Sequence, residues 1–556
     1  MSRADWSYLG LSLLVAAVWL SSASVRPLFN TDEGRYAEIP REMRATGDWI
    51  VPHLNGLPYV EKPPLQYWAS ALCQSVVGES ALGARLYSVL CAFATVLAAA
   101  LAARRAWGGE AARRAAAVLA SMLLFLCMGQ LLTLDMSLTC YMTVALAAFL
   151  AAQSAKSARS TAPSAGLLPS GASRERACML LAWAATASGV LTKGPVAAAI
   201  PAAVLVCYSL YARDFSPWRR LHATIGLPVF LAIAVPWYWL AARRLPDFLD
   251  FFFVHEHFAR YLTPSADREQ PWWFFGAVFL LGSLPWTLSA LRVLARGWRR
   301  TSPDGGFNAE LFLKLWVAFV LVFFSLSDSK LIPYILPALP ALALLVAALP
   351  AALFERDLLH TALLTVATAI ALGLLCLYAP AHVAPSVRSP YFLALAQPLA
   401  QIAALLAASG LYALTQRRRG GTRQAVFLGA GWCLSGLLLV RAAAAVAPVY
   451  SGIELARALP QGPGDVPVYS VATYDQTLPF YWRRTLTLVA YRGELDYGLK
   501  HDPAAELSEE EFRIRWDRGP DGYAILDFKT FGELGGQGVP MREIARDANR
   551  VLVARR

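Results

Sequence analysis

Residues 6–39, "WSYLGLSLLVAAVWLSSASVRPLFNTDEGRYAEI", set a long apolar run directly against a cluster of ionisable side chains. Asp32, Glu33, Arg35 and Glu38 fall within seven positions of one another. The apolar run reads as a membrane-spanning helix, because about 20 apolar residues are needed to cross a hydrocarbon core of about 30 Å. A charge at mid-bilayer costs about 2.5–3.5 kcal/mol on insertion scales, so a cluster of this kind belongs at a span end, where charges from several loops can converge.

The rest of the chain repeats the first half of that pattern. Of 556 residues 57% are hydrophobic and 16% charged, and the mean hydropathy is +0.45; soluble domains carry roughly 25% charged residues. About thirteen apolar runs are expected to span, at roughly 6–24, 80–103, 115–132, 136–154, 177–192, 195–212, 222–242, 273–291, 309–326, 332–353, 360–378, 391–414 and 425–446. Only helices fit runs of that length, and each run reads as continuous. The first run is taken as a retained anchor; the "SSAS" after it resembles a signal-peptide cleavage site, but too many spans follow. The net charge of +12 does not indicate nucleic acid, since many of the arginines lie in short loops between apolar runs, where they orient the protein. The eight cysteines fall in or beside apolar runs, show no metal-ligand spacing and read as small buried apolar residues.

Alternate loops differ in charge. Arg104, Arg105, Arg113 and Arg114 occupy one; Lys156, Arg159, Arg174 and Arg176 the next of that set; then Arg213, Arg219 and Arg220, then Arg296, Arg299 and Arg300, and finally Arg417, Arg418, Arg419 and Arg423. The positive-inside rule makes these cytoplasmic, with the N-terminus, and an odd span count puts the C-terminus outside. The Ser/Ala/Gly-rich stretch near 154–173 reads as a flexible cytoplasmic loop. The opposite loops mix acids, bases, His and aromatics. In the long loop 25–79, Thr31 is an N-cap candidate and Pro63-Pro64 opens a second helix that ends at Gly78; two helices lying at the outer interface are expected. The chain divides into a membrane domain, 1–446, and an outer soluble α/β domain, 447–556. In the latter "PVYSVAT", "TLTLVAY", "GYAILDF" and "RVLVARR" read as strands, and "IELARAL" and "SEEEFRIRW" as helices.

Several residues on the outer side could carry chemistry. Asp32 and Glu33 are candidate catalytic carboxylates, against the plainer role of charges at a helix start. Asp135 in "LLTLDMSLT" joins them as a lone charge in a turn. Lys62 in "YVEKPPLQYW" is a point charge suited to phosphate, and Arg35, Lys193 and Lys330 are cations on the same side. "FVHEHFARYLTP" places His255 and His257 two apart, so a regular helix cannot easily offer both to one ion. One of them with Glu61 could hold a divalent metal, against the reading of two interfacial histidines. There is no glycine-rich phosphate loop, and no nucleotide or redox cofactor is expected.

"TDEGRYAEI", "YVEKPPLQYW", "LTKGP", "HFARY" and "SDSKLIPYILPALP" follow one another here in an order and spacing that closely resemble the bacterial aminoarabinose transferases of lipid A, members of the GT-C glycosyltransferases. The resemblance covers the whole chain. It implies a GT-C-type polytopic α-helical membrane protein with a periplasmic C-terminal α/β domain, in the bacterial inner membrane. It implies transfer of 4-amino-4-deoxy-L-arabinose from undecaprenyl phosphate to a lipid A phosphate at the periplasmic face, with the change in outer-membrane charge that gives resistance to polymyxin. By the resemblance Asp32 takes the role of the first-loop catalytic aspartate, with Glu33 and Asp135 beside it, and Lys62 that of a ligand to the carrier phosphate. Arg35, Tyr36, Tyr59, Lys193, Lys330 and Tyr334 complete the expected donor site. Glu61, His255 and His257 are the candidate ligands of one zinc, magnesium or manganese ion. The expected partners are the undecaprenyl phosphate-linked sugar and lipid A, with no nucleic acid, and the chain is expected to be monomeric. Two other readings stay open: another polyprenyl-phosphate-sugar GT-C transferase, including one like the protein O-mannosyltransferases, and a lipid-sugar flippase. The gathering of polar residues at one face, rather than at the midplane, favours an enzyme.

Overall fold

Inside a bilayer every backbone N–H and C=O must be satisfied within its own segment, and the apolar runs accordingly become helices. The computed structural model describes residues 3–154, 171–259, 269–301, 306–416, 421–459, 462–519 and 521–555. The stretch near 154–173, expected as a flexible loop, lies almost wholly outside them. Among the described residues six helices are long and apolar enough to span: Ala81–Ser121, Leu134–Ser154, Ala223–Arg244, Ala351–His382, Ser389–Thr415 and Gly421–Tyr450. Shorter apolar helices are Leu13–Val25, Val196–Ala212 and Ala338–Ala347.

The chain begins with α1 (Arg3–Val25), then α2 (Asp32–Thr46), a hairpin of β1 (His53–Leu54) and β2 (Leu57–Pro58), and α3 (Leu65–Val77). The hairpin turns on Asn55 and Gly56, both at positive φ (56° and 77°), as a two-residue Asn-Gly turn demands. The first outer loop thus holds the two expected helices, plus a hairpin that was not expected. Next come α4 (Ala81–Ser121), α5 (Leu123–Met128), α6 (Leu134–Ser154), α7 (Gly171–Lys193) and α8 (Val196–Ala212). The runs at 80–103 and 115–132 fall on two helical stretches that abut at Gly108, where φ of 88° and ψ of −177° break the helix within α4; the second run carries on through α5. The run at 273–291 is not continuous either. It is a pair, Phe274–Gly282 and Thr287–Ala295, bent by 118°.

The C-terminal region folds as expected into alternating strands and helices. Its strands β3 (Val468–Val471), β4 (Thr487–Val489), β5 (Glu506–Leu507), β6 (Tyr523–Asp527), β7 (Met541–Arg546) and β8 (Arg550–Arg555) form one sheet in the order β5-β4-β3-β6-β8-β7. The first four of that order are parallel; β8 runs antiparallel to both β6 and β7. The helix Glu509–Arg518 starts at a capping box made by Ser508 and Glu511.

The C-terminal sheet is docked on the first outer loop. Tyr36, Ile39 and Met43 of α2 share one buried cluster with Tyr67 of α3, Leu478 and Phe480 of the helix Thr477–Trp482, and Ile525 and Leu552 of the sheet. A Cβ on Gly34 would lie 2.6–2.7 Å from backbone atoms of Gln476 and Thr477, so only glycine permits this approach. This corrects the expectation of two helices lying at an interface: α2 is buried from Glu33 to Met43. Only α3 keeps an exposed apolar side, at Leu72 and Val76.

Candidate functional site

Asp32 opens α2, where a carboxylate meets the positive end of the helix. Thr31 stands at the expected N-cap position, yet its side chain makes no capping hydrogen bond. The side chain of Asp32 is 47% exposed and is paired with Arg35, one turn on. Arg35 is buried and also donates to the Tyr59 hydroxyl (2.9 Å) and to Glu494 (2.5 Å). Burial works against its charge, but the surrounding Tyr59, Glu494, Tyr36 and Asp32 hold the guanidinium pKa above its ordinary value. Glu494 also accepts from the Gln476 side chain. The C-terminal domain thereby supplies a carboxylate to the site.

Glu33 lies in a different environment. It is 3% exposed and accepts from Arg26 (2.6 and 2.9 Å), Arg85 (2.7 and 2.9 Å), and the backbone N–H groups of Phe29 and Leu132. Burial alone would raise its pKa, but the two guanidinium groups outweigh it and hold the carboxyl well below the usual range. Glu33 therefore ties the end of α1, α2 and α4 together, its carboxylate engaged by two guanidinium groups where Asp32 meets one.

The other candidates converge in part. Tyr36 lies within electrostatic reach of Arg35, Asp32, Glu61 and Asp135, and burial pushes its hydroxyl pKa up. Asp135, in the first turn of α6, is ion-paired with Lys193 at the end of α7. The Lys193 ammonium lies 4.9 Å from the centre of the Tyr334 ring. Lys62 is taken up by Glu256, at 3.0 Å, on the π-helical segment Asp250–Ala259. Lys330 is 8% exposed, and its ammonium makes no hydrogen bond or ion pair among the described residues.

Of the metal candidates, Glu61 and His255 have described side chains. Among the described residues no three His, Cys, Asp or Glu side chains converge as a metal site. The ring of His255 stacks on Phe251 and its side chain is 70% exposed; its nearest carboxylate is Glu256, at 3.7 Å, which already meets Lys62. The His257 side chain lies outside the described residues.

The comparisons extend the match to whole molecules. Residues 455–555 match the family model described as the aminoarabinose transferase C-terminal domain, and residues 6–252 match dolichyl-phosphate-mannose-protein mannosyltransferase. The crystal structure of ArnT from Cupriavidus metallidurans bound to undecaprenyl phosphate superposes with a TM-score of 0.88 at 30% identity, covering 100% of this chain and 98% of that one. The chain belongs to the aminoarabinose transferase family. The undecaprenyl phosphate-alpha-4-amino-4-deoxy-L-arabinose arabinosyl transferase 1 of Sodalis glossinidius is 37% identical over 360 residues, 63% of this chain and 60% of its own. The like-named transferase of Pseudomonas aeruginosa strain UCBPP-PA14 is 35% identical over 352 residues, 62% and 59%. The chain thus spans about 60% of the length of the curated relatives it matches.

Within this aminoarabinose transferase-family chain, sequence reasoning missed Arg26, Arg85, Glu256, Gln476 and Glu494. Arg85 left a signal: a lone arginine at the start of a long apolar helix needs a buried partner. Glu494 left none, because nothing local ties a loop of the soluble domain to α2.

Proposed function

We propose that this chain is a lipid-to-lipid glycosyltransferase that moves 4-amino-4-deoxy-L-arabinose from undecaprenyl phosphate to a lipid A phosphate. The observation that carries the reading is the full-length match to a family structure with undecaprenyl phosphate bound. The site geometry supports it. In the reaction an acceptor phosphate oxygen attacks the anomeric carbon, the bond from that carbon to the carrier phosphate oxygen breaks, and undecaprenyl phosphate leaves with the electron pair. A phosphate is already ionised near neutral pH, with a second pKa of about 6, so no strong base is required. Asp32, half-exposed and steadied by Arg35, orients the acceptor or the amine of the sugar. Lys330, 8% exposed, is a candidate to meet the anionic carrier phosphate, whose developing charge its ammonium would stabilise. Lys62 can join once a phosphate competes with Glu256, and Asp135 and Lys193 hold each other in place beside Tyr334.

The same reading places the chain in the bacterial inner membrane as a monomer with thirteen spans, Gly108 separating two of them. The N-terminus is cytoplasmic. Asp32 and the domain 447–556 face the periplasm, where both lipid substrates present their headgroups. The match of residues 6–252 to the mannosyltransferase model favours, as a second reading, a related transferase that uses another polyprenyl-phosphate sugar.

The test is transfer by the purified, detergent-solubilised chain, with mass spectrometry of lipid A. The expected result is lipid A heavier by one aminoarabinose, with undecaprenyl phosphate released. Transfer only from a polyprenyl-phosphate hexose would select the second reading. No transfer by folded protein from either donor would overturn both.

A further inference from the structure

A cavity of about 220 Å³ lies where the C-terminal sheet meets the first outer loop, lined by residues that include Asn30, Tyr450, Thr473, Asp527, Asn549 and Arg550. Its position follows from the strand order. From β3 the chain moves to β4 and β5 on one flank, then returns to β6 on the other. The break in direction falls between β3 and β6, both parallel. Thr473 lies just beyond the carboxyl end of β3, Asp527 ends β6, and Arg550 opens β8 directly opposite Asp527. In open α/β sheets the crevice outside the carboxyl ends of the strands, at such a switch point, is where ligands bind. Here Asn30 and Tyr450 wall that crevice.

The lining specifies the ligand. Arg550 is 5% exposed, but its guanidinium is already paired with Asp547 at 2.7 Å and with Asp475. With Asp527, three carboxylates stand against Arg550 and the exposed Arg388, which donates to Asn549 (2.6 Å), so a phosphate is disfavoured. Asn30 and Asn549 each spend one amide N–H and one lone pair within the protein, and one Asp527 oxygen caps Thr530; their remaining N–H groups and lone pairs, the other Asp527 oxygen and the Thr473 hydroxyl suit hydroxyl or ammonium groups. The Tyr450 ring, 42% exposed and packed on Phe29 at 5.6 Å, offers an apolar face. The volume far exceeds the about 10–15 Å³ that one water needs and leaves room for a sugar ring.

We propose that this cavity is a sugar subsite, which takes one ring presenting hydroxyl or ammonium groups. It lies outside the group around Asp32 yet is joined to it. Asn30 precedes Asp32 by two residues. Its side chain donates to Asp475 (3.0 Å) and accepts from the Gln476 N–H (3.1 Å). The Gln476 side chain donates to Glu494, Glu494 accepts from Arg35, and Arg35 in turn is paired with Asp32. A ring seated here would fix the register of the first loop at the site. The source of the ring, acceptor glycolipid or donor lipid, rests on the transferase reading; the subsite itself does not.

The full chain carrying Thr473→Cys is labelled in detergent with a membrane-impermeant methanethiosulfonate, and modification of position 473 is read by peptide mass spectrometry. Lipid A, the aminoarabinose donor lipid, or sugar-free undecaprenyl phosphate is present in separate arms. Protection of at least about fivefold by a sugar-bearing lipid, with none from undecaprenyl phosphate, is the expected result. Protection by lipid A makes the ring the acceptor's; protection by the donor makes it the donor's. No protection in any arm, or equal protection by undecaprenyl phosphate, overturns the subsite. In a second measurement Tyr450→Ala should raise KM for the protecting lipid about tenfold and leave kcat within about twofold, the signature of lost ground-state binding; an unchanged KM overturns the proposal. Because labelling needs no turnover, protection in a chain that transfers no sugar would leave the subsite standing and remove the transferase reading. Transfer without protection would do the reverse.

Discussion

Asp32 and Glu33 are neighbours in sequence with opposite environments. Asp32 is half-exposed at the helix start and meets one guanidinium; Glu33 is sealed between two. The acidic pair was legible as unusual because it follows an apolar run. Its division of labour was not, since Arg85 reaches Glu33 from 52 residues away. The prediction for each side chain follows from its surroundings. Asp32→Asn keeps the shape and removes the charge, so the variant should fold normally and lose about a hundredfold or more in transfer rate, the scale of one electrostatic or acid–base contribution. Glu33→Gln should act on the fold instead. It leaves Arg26 and Arg85 buried without their counter-charge, a change that costs about 3–5 kcal/mol. Thermal unfolding and transfer rate, measured on both variants, separate the two roles. Full stability of Glu33→Gln, or near-normal turnover of Asp32→Asn, would reverse the assignment.

At the scale of elements, the reading succeeded where local pattern decides. Apolar runs gave helices, Pro63-Pro64 gave the start of α3, and four β-rich segments gave β3, β4, β6 and β8. It failed where the element is short or is shaped by its partners. β5 has two residues. β7, "MREIAR", is an edge strand whose charges interrupt the pattern. The hairpin was overlooked although "NG" at 55–56 is a strong turn signal. That hairpin is tied to α2 by Glu42, which is 3% exposed and accepts the N–H groups of Asn55 (2.7 Å) and Gly56 (2.9 Å). Burial and the neighbouring Glu38 push the Glu42 carboxyl up to about 8. Arg41, Gly56 and the side-chain hydrogen bond between Glu38 and Glu42 complete its surroundings. The folded state therefore holds a proton that the unfolded chain, with an ordinary carboxyl, releases. This contribution to stability is fully present below about pH 4.5 and is lost as pH rises toward about 8. Glu42→Gln mimics the protonated form and keeps an acceptor for the hairpin. Its melting temperature should fall less than that of the parent between pH 5 and 8, and identical slopes for the two proteins would show that Glu42 is ionised throughout.

For the whole molecule, the decisive feature is asymmetry. On the proposed topology, arginine-rich loops mark one side, and Asp32, Lys62, Asp135, Lys193 and Lys330 the other; loop composition carries that expectation, and labelling tests it. The contribution of the C-terminal domain was not legible in the sequence: its composition shift announced a separate unit, whereas its core is shared with α2 and its Glu494 pairs with Arg35. Orientation then carries the chemistry with it. If α2 and the sheet dock on the periplasmic side, exposed positions of the sheet domain must be reachable from outside. Lys500→Cys and Lys529→Cys sit on such positions, with side chains 67% and 84% exposed, while Arg105→Cys lies in α4 beside the Gly108 kink, on the side proposed to be cytoplasmic. In intact spheroplasts an impermeant thiol reagent should label the first two and spare the third. Permeabilisation should add the third. The native cysteines are buried or only half-buried in the helical part, so the background is low and the added thiols dominate the signal. Labelling of position 105 alone would invert the topology. It would place Asp32 and Lys330 on the cytoplasmic side, and the transfer reaction would have to be sought there.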